Sequence, residues 1–412
     1  MRFKEFYRWF RKMPFLKKWF VFFIIIRPII EPFYFFKEIS VVLSPLYWIG
    51  LLTFVFSIFA LVRYKTNKLK KFNSFKIWGI FVIFSSFTLI FSSSLVVFLN
   101  FFIKLTYPVL IFFFLRVLIK NKVDLIGVLT SFLYSMIFVV GWFLYDIFEF
   151  GFNLRFGSSY ADIVNYGFYA NFAFILLIYF FIESRSKKKL FKFNINPLVL
   201  IVSVLAIISA LWAIKHLASI AVFIGISIVF LLTNSGTNKK LSFIALFVYI
   251  GFILTFGGNF YEEVMSEKVE KEIEVAEGVR DEAQLFHGRG SRWIWLWDEY
   301  KNGNTFSYFF GYPYNLRFSF HMVGITPHND FLRILFLTGI FGLLFYLSFI
   351  FNIFKRIRFL NERDKFLFYS SLLTFILYSL STVPTFYPGF NNFIFTTFAY
   401  LTLPKGILKY YD

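Results

Sequence analysis

The chain of 412 residues contains no cysteine, so disulfide bonds and thiolate metal sites are excluded. Charged residues are scarce at 16%, whereas ordinary soluble domains carry about 25%. Histidine occurs only four times. A soluble enzyme of ordinary composition is therefore excluded, and any proton transfer at neutral pH depends on very few imidazoles.

Acidic residues are also few: 23 Asp and Glu stand against 43 Lys and Arg, which gives a net charge of +20. Such a charge is compatible with nucleic-acid binding, but the basic residues lie in short segments between apolar runs. This distribution is typical of cytoplasmic loops, which fix membrane topology and contact anionic lipid headgroups. We therefore expect membrane lipid as a partner and no nucleic acid. The basic segments are 1–18, 63–76, 119–123, 183–192, 239–240 and 355–365.

Apolar residues are abundant, with 58% hydrophobic and 25% aromatic side chains. Repeated apolar runs of about 17–25 residues match the thickness of a bilayer. They predict an all-α polytopic membrane protein with about twelve transmembrane helices and both termini in the cytoplasm. No small-residue cleavage site follows the basic N-terminal stretch, so we expect no cleavable signal peptide. The predicted spans are 19–37, 41–62, 77–92, 95–118, 124–146, 163–182, 197–213, 217–232, 241–257, 331–351, 366–383 and 390–403.

The pattern divides the chain into three regions. Residues 1–257 form a bundle of about nine spans, 258–330 form one large outer loop, and 331–412 form about three further spans. The loop begins with a charged, helix-prone stretch. Ser291 is placed to cap a second helix, which carries Trp293 on one face. Because the basic segments all fall on one side, the large loop is predicted on the other, where we expect the chemistry.

Cationic side chains gather in the outer segments. Arginine binds phosphate oxygens in pairs and stays charged, so Arg289 and Arg292 are candidates for binding a diphosphate. Arg155, in the 147–162 loop, is a third candidate. Lys215 interrupts a long apolar stretch, where a cation needs a polar cavity or a partner. The alternatives are a tight outer turn for Lys215 and ordinary loop positions for the arginines.

A general base is the second requirement. His328 begins the tenth predicted span, so its imidazole is expected at the membrane interface, and histidine is the residue type suited to a general base near neutral pH. A helix-capping role for His328 or Asn329 is the alternative. Weaker candidates for lining the site are Asn329, His216, His321, His287, Arg317 and Trp293.

A metal centre is not predicted. The outer loops contain no Asp-x-Asp pair, and their acidic residues lie on a stretch typical of a solvated helix. Arginine and lysine would take the place of a cation in stabilising a leaving group. We therefore expect neither metal nor cofactor.

These motifs resemble those of the O-antigen ligase/polymerase superfamily of membrane glycosyltransferases. In that family an Arg-x-x-x-x-Trp stretch, a His-Asn-x-x-Leu stretch and a span with Gly-x-x-Gly follow one another. The corresponding residues here are Arg292 with Trp297, His328 and Asn329 with Leu332, and Gly339 with Gly342.

Two further segments bear on the resemblance. The stretch from Arg155 to Asn165 is similar to the Arg-x-x-Gly…Asn segment that opens a span in the family, although it is longer. Where the family has Ser-Arg-Gly after a mid-chain span, this chain has Ile214-Lys215-His216. The cation is kept but the planar guanidinium is lost.

The resemblance implies a GT-C-like fold in the bacterial inner membrane with an active site facing the periplasm. It implies a metal-independent, inverting transferase that uses a glycan linked to undecaprenyl pyrophosphate as donor and a second glycan as acceptor. By position, His328 is then the catalytic histidine, and Arg292 and Lys215 bind the pyrophosphate. A chain-length regulator is a further candidate partner.

Three functions remain open at this point. The preferred one is an O-antigen polymerase, which joins lipid-linked repeat units. The second is an O-antigen ligase, which transfers the finished glycan to lipid A–core. A flippase for lipid-linked oligosaccharides is an alternative of another class, favoured by the number of spans and by intramembrane charges.

Overall fold

A computed structural model describes most of the chain: residues 3–64, 73–87, 90, 95–152, 154, 159–160, 163–184, 197–234, 258, 261–262, 266–281, 285–311 and 328–409. These residues form helices, turns and loops without a strand, which confirms the all-α prediction. Five helical stretches are long and apolar enough to cross a membrane, so the chain is an α-helical membrane protein. They are Pro45–Arg63, Phe98–Leu118, Lys122–Phe150, Ile163–Ser184 and Asp330–Ile357.

The α-helices of the described residues are numbered in chain order. They are α1 (Phe3–Arg11), α2 (Phe15–Ile30), α3 (Phe36–Ile39), α4 (Pro45–Arg63), α5 (Asn73–Phe87), α6 (Leu95–Leu118), α7 (Lys122–Phe150), α8 (Ile163–Ser184), α9 (Pro197–Ile214), α10 (Leu217–Asn234), α11 (Ser266–Ala276), α12 (Leu285–Lys301), α13 (Thr305–Phe310), α14 (Asp330–Ile357), α15 (Glu362–Ser381), α16 (Pro388–Leu401) and α17 (Lys405–Lys409). Short 3₁₀ helices occupy Glu31–Phe35, Val41–Leu43 and Pro384–Phe386.

Most predicted spans coincide with a helix. The ninth predicted span, 241–257, lies outside the described residues. The first predicted span, 19–37, is wrong as a single helix, because α2 ends at Ile30 and a 3₁₀ helix follows. Pro32 sits in that 3₁₀ helix and has no N–H for the next α-helical hydrogen bond.

One end of the bundle is held by buried and half-buried basic side chains, and we call it the lysine-rich end. Lys17 Nζ donates to two carbonyl oxygens in the last turn of α6, at 3.2 and 3.4 Å. Lys122 Nζ lies 2.9 Å from a carboxylate oxygen of Glu183 and 3.1 Å from one of Asp364. Arg356 donates to carbonyl oxygens at the end of α16. These contacts bring together the lysine-rich ends of α2, α6, α7, α8, α14, α15 and α16.

The basic segments meet at this end. Five of the six basic segments, all except 239–240, contain described residues that make these contacts or adjoin them. In the segment 63–76, for example, the ring of Tyr64 lies 5.8 Å from Lys17 Nζ. Because helices that follow one another in the chain run in opposite directions, the turns between the basic segments lie at the other end, which we call the opposite end.

Aromatic packing fills the core between these two ends. The rings of Phe75 and Phe349 lie 4.2 Å apart, and Phe112 lies 5.2 Å from Phe349. Phe395 lies 5.9 Å from Phe112. These rings join α5, α6, α14 and α16 in tilted and edge-on contacts, which are the favoured arrangements for aromatic pairs.

Helix α14 is broken within its first half. Gly339 has φ 65° and ψ −174°, a conformation essentially reserved for glycine. The break is covered by neighbouring helices, since α13 packs against it and Ser85 Oγ of α5 donates to the Leu337 carbonyl at 2.7 Å. The first turns of α14 therefore form a separate helical segment from the rest of the helix.

Gly339→Ala is expected to lower the free energy of unfolding by at least about 1–3 kcal/mol, the range for one strained backbone position. A Cβ on Gly339 would lie 2.4 Å from the backbone C and O atoms of Phe309, and the backbone cannot give way as a flexible side chain can. Thermal unfolding in detergent measures the change. Gly141→Ala in α7 is the control, because a Cβ there meets nothing within 4 Å. Equal unfolding temperatures for the two variants would contradict the close approach.

Candidate functional site

The end of α15 and the turn after it bring the candidate residues together at the opposite end of the bundle. Tyr378, Ser381 and Thr385 each contact a different distant segment: His216, Arg289 and Asp330, respectively. Tyr378 and Thr385 are seven residues apart, which is at most about 25 Å of chain. Two predicted site residues, His216 and Arg289, thus contact one short segment, 378–385, and Asp330, which also contacts it, lies two residues after the predicted His328.

Lys215 and His216 form the turn between α9 and α10. This confirms the split of the long apolar stretch that was predicted at these two residues. Lys215 has φ 51° and is half-buried, so it occupies a tight turn at the opposite end rather than the middle of a span. The N–H of Leu154 donates to the carbonyl of Ala213 at 3.0 Å, which brings the 147–162 loop to the same turn. Arg155, the next residue, lies outside the described residues.

Arg289 and Arg292 lie on α12. Arg289 is half-buried, and its Nη1 donates to the Ser381 carbonyl at 2.7 Å, where a cation also interacts favourably with the helix C-terminus. Burial, and then the charge of Arg292, lower the pKa of Arg289. Arg292 is exposed. The two guanidinium groups therefore form a concentration of positive charge, and Arg289 is the one that contacts the bundle.

The prediction for the start of this helix is wrong. Helix α12 begins at Leu285, so Ser291 lies inside it and does not cap it. The helix continues through Gly288 and Gly290 because its tertiary packing, with Leu296 buried against the core, outweighs their low helix propensity. Trp293 lies on α12 and is half-buried.

His328 and Asn329 precede α14. Asn329 Oδ1 accepts hydrogen bonds from the N–H groups of Phe331 (3.0 Å) and Leu332 (3.1 Å), so this residue has the capping role given as an alternative. His328 lies one residue before the cap, half-buried, with φ 49°. It therefore lies just before the long apolar helix that the sequence predicted at this position, outside its first turn.

His328 and Lys215 share an unusual backbone conformation. Among the described residues they are the only non-glycine residues with positive φ. A left-handed conformation costs a non-glycine residue roughly 1–2 kcal/mol, and such strain is often found at functional sites. The two residues singled out from sequence for proton transfer and for binding a diphosphate are therefore also the two held in strained turns.

A buried cluster beside His328 was not predicted. The carboxylate of Asp330 lies 2.6–2.7 Å from the Arg333 guanidinium and accepts a hydrogen bond from Thr385 Oγ1 at 2.9 Å. The Phe386 ring lies 4.4 Å from the guanidinium carbon. Two charged residues three positions apart in an apolar span were a visible signal for this cluster. It joins the start of α14 to the turn after α15.

Three further predicted residues are His287, Arg317 and His321. His321 and Arg317 lie outside the described residues, and His287 lies in the first turn of α12. Among the described residues, no group of three or more His, Asp or Glu side chains could hold a metal ion.

Asp330→Ala is expected to lower the free energy of unfolding by about 3–5 kcal/mol, because Arg333 would remain as a buried charge without its carboxylate. Thermal unfolding of the detergent-solubilised protein measures the loss. Lys355→Ala, at an exposed position near the other end of the same helix, is the control and should change stability by less than about 0.5 kcal/mol. A loss for Asp330→Ala as small as that of the control would show that the pair is solvated.

Comparison of the sequence with models of known protein families gave no match, and comparison with curated proteins gave none either. The helices themselves show the class of the protein, which is an α-helical membrane protein.

Proposed function

We propose that the chain is an inverting membrane glycosyltransferase of the O-antigen polymerase type. In this proposal it joins glycan repeat units carried on undecaprenyl pyrophosphate at the periplasmic face of the inner membrane. The proposal depends on one observation: His216, Arg289 and Asp330 all contact residues 378–385. Asp330 lies two residues after His328 and thus brings the start of α14 to the same place. Cations that suit a diphosphate and an imidazole that suits proton transfer are thereby close to one end of an apolar bundle.

The orientation of the bundle supports the same proposal. Lysine and arginine side chains concentrate at the lysine-rich end, and basic loops face the cytoplasm in membrane proteins. The candidate residues lie at the opposite end, which then faces the periplasm. A lipid-linked donor would reach them from the bilayer with its pyrophosphate at the level of the headgroups.

The proposed reaction balances without a cofactor. The acceptor hydroxyl oxygen attacks the anomeric carbon of the donor sugar, and His328 takes the hydroxyl proton. The bond from that carbon to the pyrophosphate oxygen breaks, and its electron pair leaves with undecaprenyl pyrophosphate. Lys215 and the arginines of α12 stabilise the negative charge that builds on this leaving group. Pyrophosphate leaves unprotonated, so no general acid is required.

The decisive experiment uses the purified full chain, a glycan linked to undecaprenyl pyrophosphate, and EDTA. We expect elongated glycan and released undecaprenyl pyrophosphate in equal amounts. In proteoliposomes, movement of the donor across the bilayer without formation of a glycosidic bond would instead identify a flippase. Transfer to lipid A–core in preference to a second lipid-linked glycan would identify a ligase.

A further inference from the structure

A chain of hydrogen bonds runs from the protein interior to His216. Asn171 Nδ2 lies 3.0 Å from the Ser219 carbonyl and 2.8 Å from the Tyr378 hydroxyl. The Tyr378 hydroxyl lies 2.9 Å from Ser219 Oγ, which in turn lies 2.7 Å from His216 Nδ1. The chain joins α8, α10 and α15. Asn171, Ser219 and Tyr378 are fully buried, whereas His216 is half-buried at the opposite end.

One carbonyl fixes the orientation of the Asn171 amide at the start of this chain. The Ser219 carbonyl can only accept, so the Asn171 atom beside it must be the amide nitrogen. That nitrogen also donates to the Tyr378 oxygen, and Tyr378 donates its own proton to Ser219 Oγ. The Ser219 proton is then available for Nδ1 of His216, which lies 2.7 Å from Ser219 Oγ. When Ser219 donates to Nδ1, the neutral ring carries its proton on Nε2, and this is the tautomer that we assign to His216.

A local helix contact does not account for this arrangement. The ordinary first turn of α10 is already closed by the Ser219 N–H, which donates to the His216 carbonyl at 3.0 Å. Asn171 and Tyr378 add nothing to that turn, yet both are buried against Ser219. The space for the chain also depends on Gly167 of α8, because a Cβ there would lie 1.9 Å from Ser219 Oγ.

We infer that His216 binds a phosphate oxygen of the donor through its Nε2–H. This inference rests on the proposed function. Asn171, Tyr378 and Ser219 are positioning residues that hold the ring and its tautomer. A donor fixed on one nitrogen suits an anionic oxygen that only accepts, and this residue directly follows the cation of Lys215. His216 would therefore act as a hydrogen-bond donor, while His328 keeps the role of base.

The first test measures binding of farnesyl pyrophosphate, a short polyprenyl pyrophosphate, to the full chain in detergent. His216→Ala should weaken binding about 10- to 100-fold, as expected for a hydrogen bond to a charged group. His216→Gln can place an amide N–H near the position of Nε2, so its affinity should return towards that of the wild type. Ser219→Ala and Tyr378→Phe should raise the KM for the donor more than they lower kcat. Ser227→Ala is the matched control, because this serine lies two turns further along α10 and its hydroxyl donates to the Phe223 carbonyl.

The second test is ¹⁵N NMR of the histidine-labelled protein, with His216→Gln to assign the signal. It should report the Nε2–H tautomer in the wild type and its loss in Ser219→Ala, a change that a purely structural serine would not cause. If glycosyl transfer is intact, the inference would be overturned by an Nδ1–H tautomer in the wild type or by wild-type affinity for the probe in His216→Ala. If the wild type neither binds the probe nor transfers sugar, the proposed function fails and this inference fails with it.

Discussion

Replacing His328 with alanine is expected to reduce glycosyl transfer by about 10²–10⁴-fold, the usual contribution of a general base. Binding of the donor should persist, because in the proposed mechanism the imidazole acts on the acceptor and not on the pyrophosphate. Steady-state transfer and direct binding of the lipid-linked donor measure the two effects separately. Equal losses in both would mean that His328 holds the donor instead of moving a proton.

The backbone at this position calls for a matched variant. His328 has φ 49°, a conformation that alanine tolerates poorly and asparagine tolerates well. His328→Asn therefore keeps the turn while it removes the imidazole. We expect it to be as inactive as His328→Ala; recovery of transfer in His328→Asn alone would assign the effect to the shape of the turn.

Lys215→Gly is expected to lower transfer by about 10²–10³-fold, the cost of removing one group that stabilises a developing anion. Its stability should stay the same or rise, because glycine adopts the φ of 51° found here without the strain of roughly 1–2 kcal/mol that a side chain adds. Transfer kinetics and thermal unfolding of the same preparation measure the two opposite changes.

Lys215→Arg separates charge from geometry. It keeps a cation in the same turn, so it should retain much more activity than Lys215→Gly. If the glycine variant is fully active, the ammonium group has no part in transfer, and Lys215 merely joins α9 to α10.

Hydropathy alone located most helices of the bundle. The run 163–182 corresponds to Ile163–Ser184 and the run 217–232 to Leu217–Asn234. The reason is physical: a chain in lipid must satisfy its backbone internally, so a long apolar run has almost no alternative to a helix. Hydropathy could not show the break at Gly339, because the residues on both sides are apolar and the interruption depends on the packing of α13.

The site was only partly visible in the sequence. His328 and Lys215 could be singled out because a titratable or charged side chain beside an apolar run is costly without a purpose. Tyr378 and Ser219 could not, since they are common residues 159 positions apart whose link exists only after folding. Asn329 was ambiguous for another reason: the same residue type binds ligands and caps helices, and geometry alone distinguishes the two.

Because α14 is interrupted at Gly339, the stability of the membrane bundle depends on the segment that contains α13. Backbone groups freed at Gly339 would face hydrocarbon if Phe309 and its neighbours were removed, and lipid offers them no hydrogen bonds. The segment that contains α13 therefore covers the interruption in α14 in addition to connecting α12 with α14. Shortening this segment would therefore expose backbone groups of α14 to lipid and destabilise the bundle itself.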